Sequence, residues 1–268
     1  MYQNLWFDVR KNKMHLWDDK KGYLQIPYKK YAYVKDSSGQ HISLYGDRLK
    51  RVTSFDKEDP TLHESDIPPM TRFLVDQYGD SDEASTGHRT MFFDIEVEVT
   101  EGFPDVQKAQ NPITSIALYD CTTETYFTYC FDPHKRIEDY TKGDEVVEFY
   151  ETEYEMLNKF FQKYLEIRPT ILSGWNSEFF DIPYLYNRAV RVLGPELANL
   201  LSPISQVIYS EYKKKHTIAG VSSLDYLQLY RQFTFTQQSS YRLDYIGEVE
   251  VGMKKVSYEG TLNDLYDN

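Results

Sequence analysis

Residues 91–104 read MFFDIEVEVTEGFP, and the rest of the chain is best read outward from them. The apolar run Met91 to Phe93 leads straight into Asp94-Ile95-Glu96, and the pattern predicts a strand over "RTMFFDIEVEV". Side chains at i and i+2 share one face of a strand. Asp94 and Glu96 therefore project side by side, with Ile95 buried behind them. Two carboxylates this close repel, and one should take up a proton more readily unless a cation sits between them. A divalent metal is the simplest such cation, and hard oxygen ligands suit Mg2+ or Mn2+. A solvated acidic turn at a strand end is the plainer alternative, because Asp-x-Glu is a short and common string.

A second constellation bears on that choice. "LSGWNSEFFDIPY" follows a predicted buried strand, "TILSGW", and opens a helix. Asp181 lies at or near the helix start, where an ordinary N-cap is worth about 1 kcal/mol. It also closes a Gly-Trp-Asn turn and a two-aromatic run in a second strand–helix unit. From there its carboxylate can converge on the edge where Asp94 and Glu96 emerge. Three carboxylates at one edge suit a two-metal site, with ions about 3.5–4 Å apart, for in-line displacement at phosphorus.

Around these motifs the organisation is legible. Residues 1–55 alternate aromatic and polar, as in "GYLQIPYKKYAYVKD" and "HISLYG", which predicts short antiparallel strands. "FDKEDPTLHESDIPP" reads as a loop and "TRFLVDQYG" as a short helix. "DSDEASTGH", residues 80–88, is polar and marks a domain boundary, giving a β-rich domain over 1–88 and a second domain over 89–268. In the second, "PITSIALYD" and "TYFTYCFD" predict a strand hairpin. "ETEYEMLNKFFQKYLEIRP" is a helix with a Thr152–Glu155 capping box, an apolar face of Met156, Leu157, Phe160, Phe161, Tyr164 and Leu165, and Pro169 as its stop. "FDIPYLYNRAVRVLG" is a helix with Pro183 in its first turn and Gly194 at its end. "LSPISQVIYSEYKKKHTIAG" reads as a helix end followed by a hairpin with its tip near Lys213 to Lys215. "SSLDYLQLYRQF" and "SSYRLDYIGEV" read as helices opened by Ser caps. Strands first, then strands alternating with helices, predict an α/β domain with a mixed sheet, α+β overall.

Composition narrows the function classes. The chain has 268 residues, 41% hydrophobic and 27% charged, as expected of a globular protein with real cores. No apolar run approaches the ~20 residues of a bilayer span, and the N-terminus is no signal peptide, so a cytoplasmic protein with no membrane partner is expected. Cys121 and Cys130 read as reduced thiols, and scattered His residues argue against zinc. A net charge of −12 argues against a nucleic-acid partner, but only weakly, since metal-holding carboxylates inflate it. Lys29-Lys30, Arg48 to Arg51, Lys213 to Lys215 and Lys254-Lys255 are local basic clusters, and ordinary solvated patches are the plain reading of each.

At this point the residues carry a family likeness. "FFDIEVEVTEGFP" resembles the first exonuclease motif, D-x-E, of family B replicative DNA polymerases, and "GWNSEFFDIPYLYNR" resembles the second, N-x3-F-D. Both are similar to the branch of T-even-like bacteriophages. "NPITSIALYD", "LSGWN", "VSSLDYLQLYRQFTFTQQSSYRLDYIGE" and "VSYEG" follow in the order that branch uses, and "DSSGQHISLYGDRLKRV" resembles its N-terminal domain. The resemblance implies a ribonuclease-H-like 3′–5′ proofreading exonuclease behind a β-rich N-terminal domain, in a phage-infected bacterial cell. In that family four carboxylates hold two Mg2+ ions, and water activated there attacks the last phosphodiester of a frayed, single-stranded DNA 3′ end. Carried over by position, Asp94 would bridge both metals, Glu96 would bind the metal of the attacking water, and Asp181 would bind the second metal, directly or through water. Asn176 would support the site. Phe103 matches a position that packs against the last bases, although a turn aromatic covering the core is an equal reading. Phe180 and the lysines Lys213, Lys214 and Lys215 complete the candidate nucleic-acid contacts, the latter on a hairpin resembling the one that parts primer from template. RNA at the N-terminal domain is a further expected partner.

The likeness also lacks a part. The third motif, Y-x3-D, supplies a fourth carboxylate, and it is expected beyond "VSYEGTLNDLYDN", where the chain stops. Tyr78 to Asp82 and Tyr140 to Asp144 match the string by chance, in polar loops. The polymerase portion is expected in the same or a separate chain, and this chain alone is expected to be a weak or inactive nuclease. A non-catalytic nucleic-acid-binding or assembly module is the alternative. An unrelated metal phosphoesterase is a third option, needing Glu98 or Glu178 as the completing carboxylate.

Overall fold

The computed structural model describes residues 1–99, 102–134 and 136–256. The string "VSYEGTLNDLYDN" beyond Val256 lies outside the described residues. Contacts divide the chain into two compact units, Met1–Gly87 and His88–Asn268.

In the first unit, β1 (Tyr2–Asp8), β2 (Lys13–Asp18) and β3 (Gly22–Pro27) form an antiparallel meander. Asp8 and Asp18 close its turns, each accepting backbone N–H bonds two and three residues on. A second small sheet has the order β4 (Ala32–Lys35), β6 (Arg48–Val52), β5 (His41–Ile42). The helix α1 (Pro69–Tyr78) starts on a proline, whose missing N–H costs nothing there. Its Phe73 joins Phe7, Met14, Leu16 and Tyr28 in one core, with edge-on rings 5.8 Å apart.

The second unit is built on a mixed sheet. Its strands are β7 (Thr90–Val97), β8 (Ile113–Asp120), β9 (Thr125–Phe131), β10 (Tyr140–Lys142), β11 (Glu145–Tyr150), β12 (Ile171–Gly174) and β15 (Ser222–Asp225). They lie in the order β10-β11-β9-β8-β7-β12-β15. β7, β12 and β15 run parallel to one another, so their carboxyl ends share one rim. β8 is antiparallel to β7 and β9, and β11 is parallel to β9. The hairpin β13 (Val207–Ser210) and β14 (Lys215–Ile218) stands apart as a two-stranded pair.

One face of this sheet is covered by α2 (Glu153–Ile167) and α3 (Asp181–Val192). Met91, Phe93, Ile95 and Val97 of β7 point into that core against Met156, Leu157, Phe160, Phe161 and Tyr164 of α2 and Ile182, Tyr184 and Leu185 of α3. Thr152 closes α2 with a reciprocal cap: its hydroxyl accepts from Glu155 N–H at 3.2 Å and donates to the Glu155 carboxylate at 2.7 Å. The helix ends on left-handed Arg168, just before Pro169. α4 (Pro195–Ala198) follows Gly194, and α5 (Tyr226–Phe233) and α6 (Leu243–Val251) come last.

Four details correct the sequence reading. Leu165 is 40% exposed and Ile167 is buried in its place. Residue 165 lies ~100° around the helix from Tyr164, past the edge of the stripe. Ser222 and Ser223 do not cap a helix: they belong to β15, and Asp225 caps α5. Nor does a serine cap α6, whose N-cap is Arg242. Tyr140 sits in β10 rather than in a polar loop, because β11 offers it an antiparallel partner.

Candidate active site

β7 carries the first two carboxylates by strict alternation. Ile95 is 4% exposed, whereas Asp94 is exposed and Glu96 half-buried on the opposite face. Across on β8 their partners are the small residues Ala117 and Ser115. On the other side β12 stops pairing at Ser173, opposite Phe92. Gly174 allows the chain to leave there at close quarters, since a Cβ on it would lie 2.6 Å from the Phe93 carbonyl oxygen. β7 thus runs on past its neighbour, and its backbone N–H groups lose their ladder partners.

Asp181 fills that gap. It is the first residue of α3, Phe180 being the N-cap, and no side chain caps this helix. Its Oδ1 instead accepts from Ile95 N–H at 3.1 Å, the residue between Asp94 and Glu96. The carboxyl is 3% exposed, and burial, then the Asp94 charge, push its pKa up to about 7. Partial desolvation at the rim also raises Asp94 and Glu96, and the Asp94 charge raises Glu96 further. One cation opposes both shifts: Lys255, whose backbone N–H is held by Asp244 at 2.7 Å. Lys255 had read only as part of a solvated basic pair, because nothing in its neighbourhood in sequence points back to residue 94.

The sequence reading also missed Asp225. It is buried at the end of β15 and accepts three backbone N–H bonds, from Asn176, Glu178 and Leu227, at 3.0–3.1 Å. One carboxylate thereby caps α5 and fastens the turn after β12. Asn176 sits in that turn with φ 64°, a left-handed conformation asparagine tolerates. Its carbonyl accepts from Phe179 and Phe180 N–H, which aims the chain into α3.

The remaining candidates fall into place around this rim. Phe103 is 81% exposed and so does not cover the core; its ring lies 5.2 Å from that of Phe180, which lies 5.6 Å from Tyr184. Lys213 and Lys214 are exposed between β13 and β14, with Lys214 paired to Glu211 at 2.8 Å. Lys215 begins β14, and its ammonium is bound to Glu178 at 2.6 Å. Glu178 also accepts from Gln228 at 2.9 Å, so this carboxylate already has two side-chain partners. A cleft of about 440 Å3, lined by Phe92, Tyr119, Tyr126, Trp175 and Tyr226, adjoins Asp94.

The donor set at the rim is oxygen only, of the hard type that suits Mg2+ or Mn2+. The shared upward shifts of Asp94, Glu96 and Asp181 mark carboxylates short of positive charge, which fits a cation-binding role. Among the described residues no three Asp, Glu, His or Cys side chains are gathered as metal ligands, and the carboxylates adjoin in pairs.

Residues 78–246 match the family model for the exonuclease domain of DNA polymerase family B. The chain is 35% identical over 209 residues to a DNA-directed DNA polymerase of Escherichia phage RB69, covering 67% of this chain and 23% of that protein. It is 33% identical over 200 residues to the DNA-directed DNA polymerase of Enterobacteria phage T4, covering 63% and 22%. A DNA polymerase 1 of Sulfurisphaera ohwakuensis is 27% identical over 213 residues, covering 76% and 21%. The chain spans less than a quarter of the length of these curated relatives. The mixed sheet flanked by α2 and α3 is the ribonuclease-H-like arrangement expected of such a domain. Among the described residues no helix is long and apolar enough to cross a membrane.

Proposed function

The chain belongs to the family B DNA polymerase exonuclease domains, and from that premise we propose that it is the front portion of a DNA-directed DNA polymerase, with a β-rich domain over 1–88 and a 3′–5′ exonuclease domain over 89–268. Its substrate is the 3′ end of single-stranded DNA, and the reaction is hydrolysis of the terminal phosphodiester. One observation carries the reading. Asp181, 86 residues on from Ile95, reaches back to the single backbone N–H that separates Asp94 from Glu96.

In this reading Asp94, Glu96 and Asp181 hold the divalent ions. When bound, these would supply Lewis-acid activation of water and stabilise charge developing on the phosphorus oxygens. The protein's own groups do the rest. Asp225 keeps the Asn176 turn rigid, so that α3 begins where Asp181 can reach β7. Phe103 over Phe180 offers a π face to a terminal base of any identity. Lys255 lessens the repulsion of a phosphate by the acidic rim. Polymerisation, and the fourth carboxylate of the third motif, are assigned to polypeptide other than the described residues. RNA at the N-terminal domain remains part of the proposal.

The test is release of mononucleotides from 3′-labelled single-stranded DNA in Mn2+. Release lost in Asp94→Ala is expected. Release undiminished in Asp94→Ala would overturn the assignment of the site to the β7 carboxylates. The exposed Phe103 beside Phe180 also fits a second reading, a silent binding module. Tight single-strand binding without cleavage, undiminished by Asp94→Ala, would select it.

A further inference from the structure

The loop between β7 and β8 carries Phe103, and four side chains of α3 hold its backbone. Asn187 Nδ2 donates to the Val106 carbonyl at 2.9 Å, and Arg191 donates to that of Lys108 at 3.3 Å. Tyr184 donates to the Asn111 carbonyl at 2.8 Å. Arg188 donates to the carbonyls of Ala109 and Gln110 at 3.2 and 2.6 Å. The same guanidinium forms a two-pronged pair with Glu153 at the start of α2, at 2.8 and 2.6 Å. Glu153 also accepts from Ile113 N–H at 2.8 Å, where β8 begins. Both partners are largely buried, so the pair is short, charge-assisted and poorly screened.

This clamp holds a conformation the loop does not favour by itself. Ala109 is fully buried with φ 42°, a left-handed geometry that costs an L-residue with a Cβ of order 1 kcal/mol or more. Its carbonyl is one of the two that Arg188 takes. Tyr184 has two parts to play, since its hydroxyl holds the loop while its ring supports Phe180, on which Phe103 rests. The start of α3 therefore sets Asp181 at its first residue, with Phe180 just before it and Tyr184 one turn on.

We propose that Arg188, braced by Glu153, is a positioning residue that orders the 102–112 loop so that Phe103 stands ready to stack on the terminal base of single-stranded DNA. The proposal rests on the reading of Phe103 as a base platform. Ordering the loop in advance removes an entropic cost from binding, so loss of the clamp weakens the grip on the terminal base and leaves the carboxylate rim as it is.

Two measurements on the full chain separate the clamp from the platform. Hydrogen exchange of the 103–111 amides reads the clamp. The affinity for an oligothymidylate ending in 3′ 2-aminopurine, measured by fluorescence in Ca2+, reads the platform. Arg188→Met is expected to speed exchange in the loop about tenfold or more, with α2 and α3 unchanged. It is expected to weaken the aminopurine strand about tenfold, as Phe103→Ala does, in keeping with the value of a stacked base. The double variant should bind no worse than either single one. Arg188→Lys, which keeps the charge and loses the fork, should recover part of the loss. Should Arg188→Met fail to fold, Asn187→Ala removes one loop bond without stranding a charge and should move both readouts in the same direction by a smaller factor. Unchanged loop exchange, or losses that add in the double variant, overturns the clamp. Full affinity in Phe103→Ala overturns the platform reading and the positioning role with it.

Discussion

Asp181 and Asp225 are each 3% exposed, and each stands where a rim strand or turn gives way to a helix, yet they are satisfied very differently. Asp225 is the N-cap of α5, and three backbone N–H groups point at its two oxygens. Asp181 has missed the cap by one residue and reaches instead to the Ile95 N–H of β7, with the Asp94 charge nearby. Burial alone therefore does not mark a functional carboxylate. A buried acid whose hydrogen bonds are complete is a fastening. One left short of donors beside a like charge is where a cation or a proton belongs.

The largest effect should come from breaking the fastening. Asp225→Ala leaves the N–H groups of Asn176, Glu178 and Leu227 without their acceptor, and a cap is lost as well. The expected cost is about 3 kcal/mol or more in urea unfolding. A loss under about 1 kcal/mol would erase the distinction between the two acids.

Asp181 should behave in the opposite sense. Its pKa rises from the ordinary carboxylate value near 4 to about 7. Between those values the folded chain holds more protons than the unfolded one. Its contribution to stability is therefore full below pH 4 and lost as pH rises through 7. Asp181→Asn removes this penalty, so in metal-free buffer at pH 8 the variant should melt no lower than the parent. A divalent ion relieves the same penalty by replacing the proton. Mn2+ should thus raise the melting temperature of the parent more at pH 8 than at pH 5.5, and the difference should shrink in Asp181→Asn. An equal Mn2+ shift at both pH values would detach the three carboxylates from any metal.

How far the sequence reveals this contrast depends on the range of the interactions. The β7 carboxylates are legible because a period of two is local, and Met91, Phe93, Ile95 and Val97 keep to it. The capping box of α2 and the Pro183 helix are legible for the same reason. Asp225 was hidden inside "SSLDYLQLY", where a strand and a helix meet without a turn residue. Only pairing with β12, about fifty residues earlier, makes Ser222–Asp225 a strand. Asp181 was legible as chemistry, yet its bond to Ile95 replaces a sheet partner that has turned away, which no spacing reports. The α3 clamp was likewise silent, since it is made to carbonyl groups, and every residue has one.

Lys255 offers the finest test of the comparison, because it acts on the acids of β7 without touching the fastening. It is exposed, and its charge works against the upward shifts of Asp94 and Glu96. Where both acids are ionised, an ammonium nearby competes with an incoming divalent ion. Lys255→Ala should therefore bind Mn2+ tighter by about twofold at low salt, as suits one screened surface charge. The gain should vanish near 1 M salt, where the Debye length falls to about 3 Å. Removing the cation also tightens the hold of the two acids on their protons, so the gain should shrink toward nothing at lower pH, where Mn2+ must displace protons that have gained as well. A gain that fades with salt and with falling pH is what a through-space charge predicts; a loss of affinity at both high and low pH would mean that Lys255 props the rim as a packed side chain.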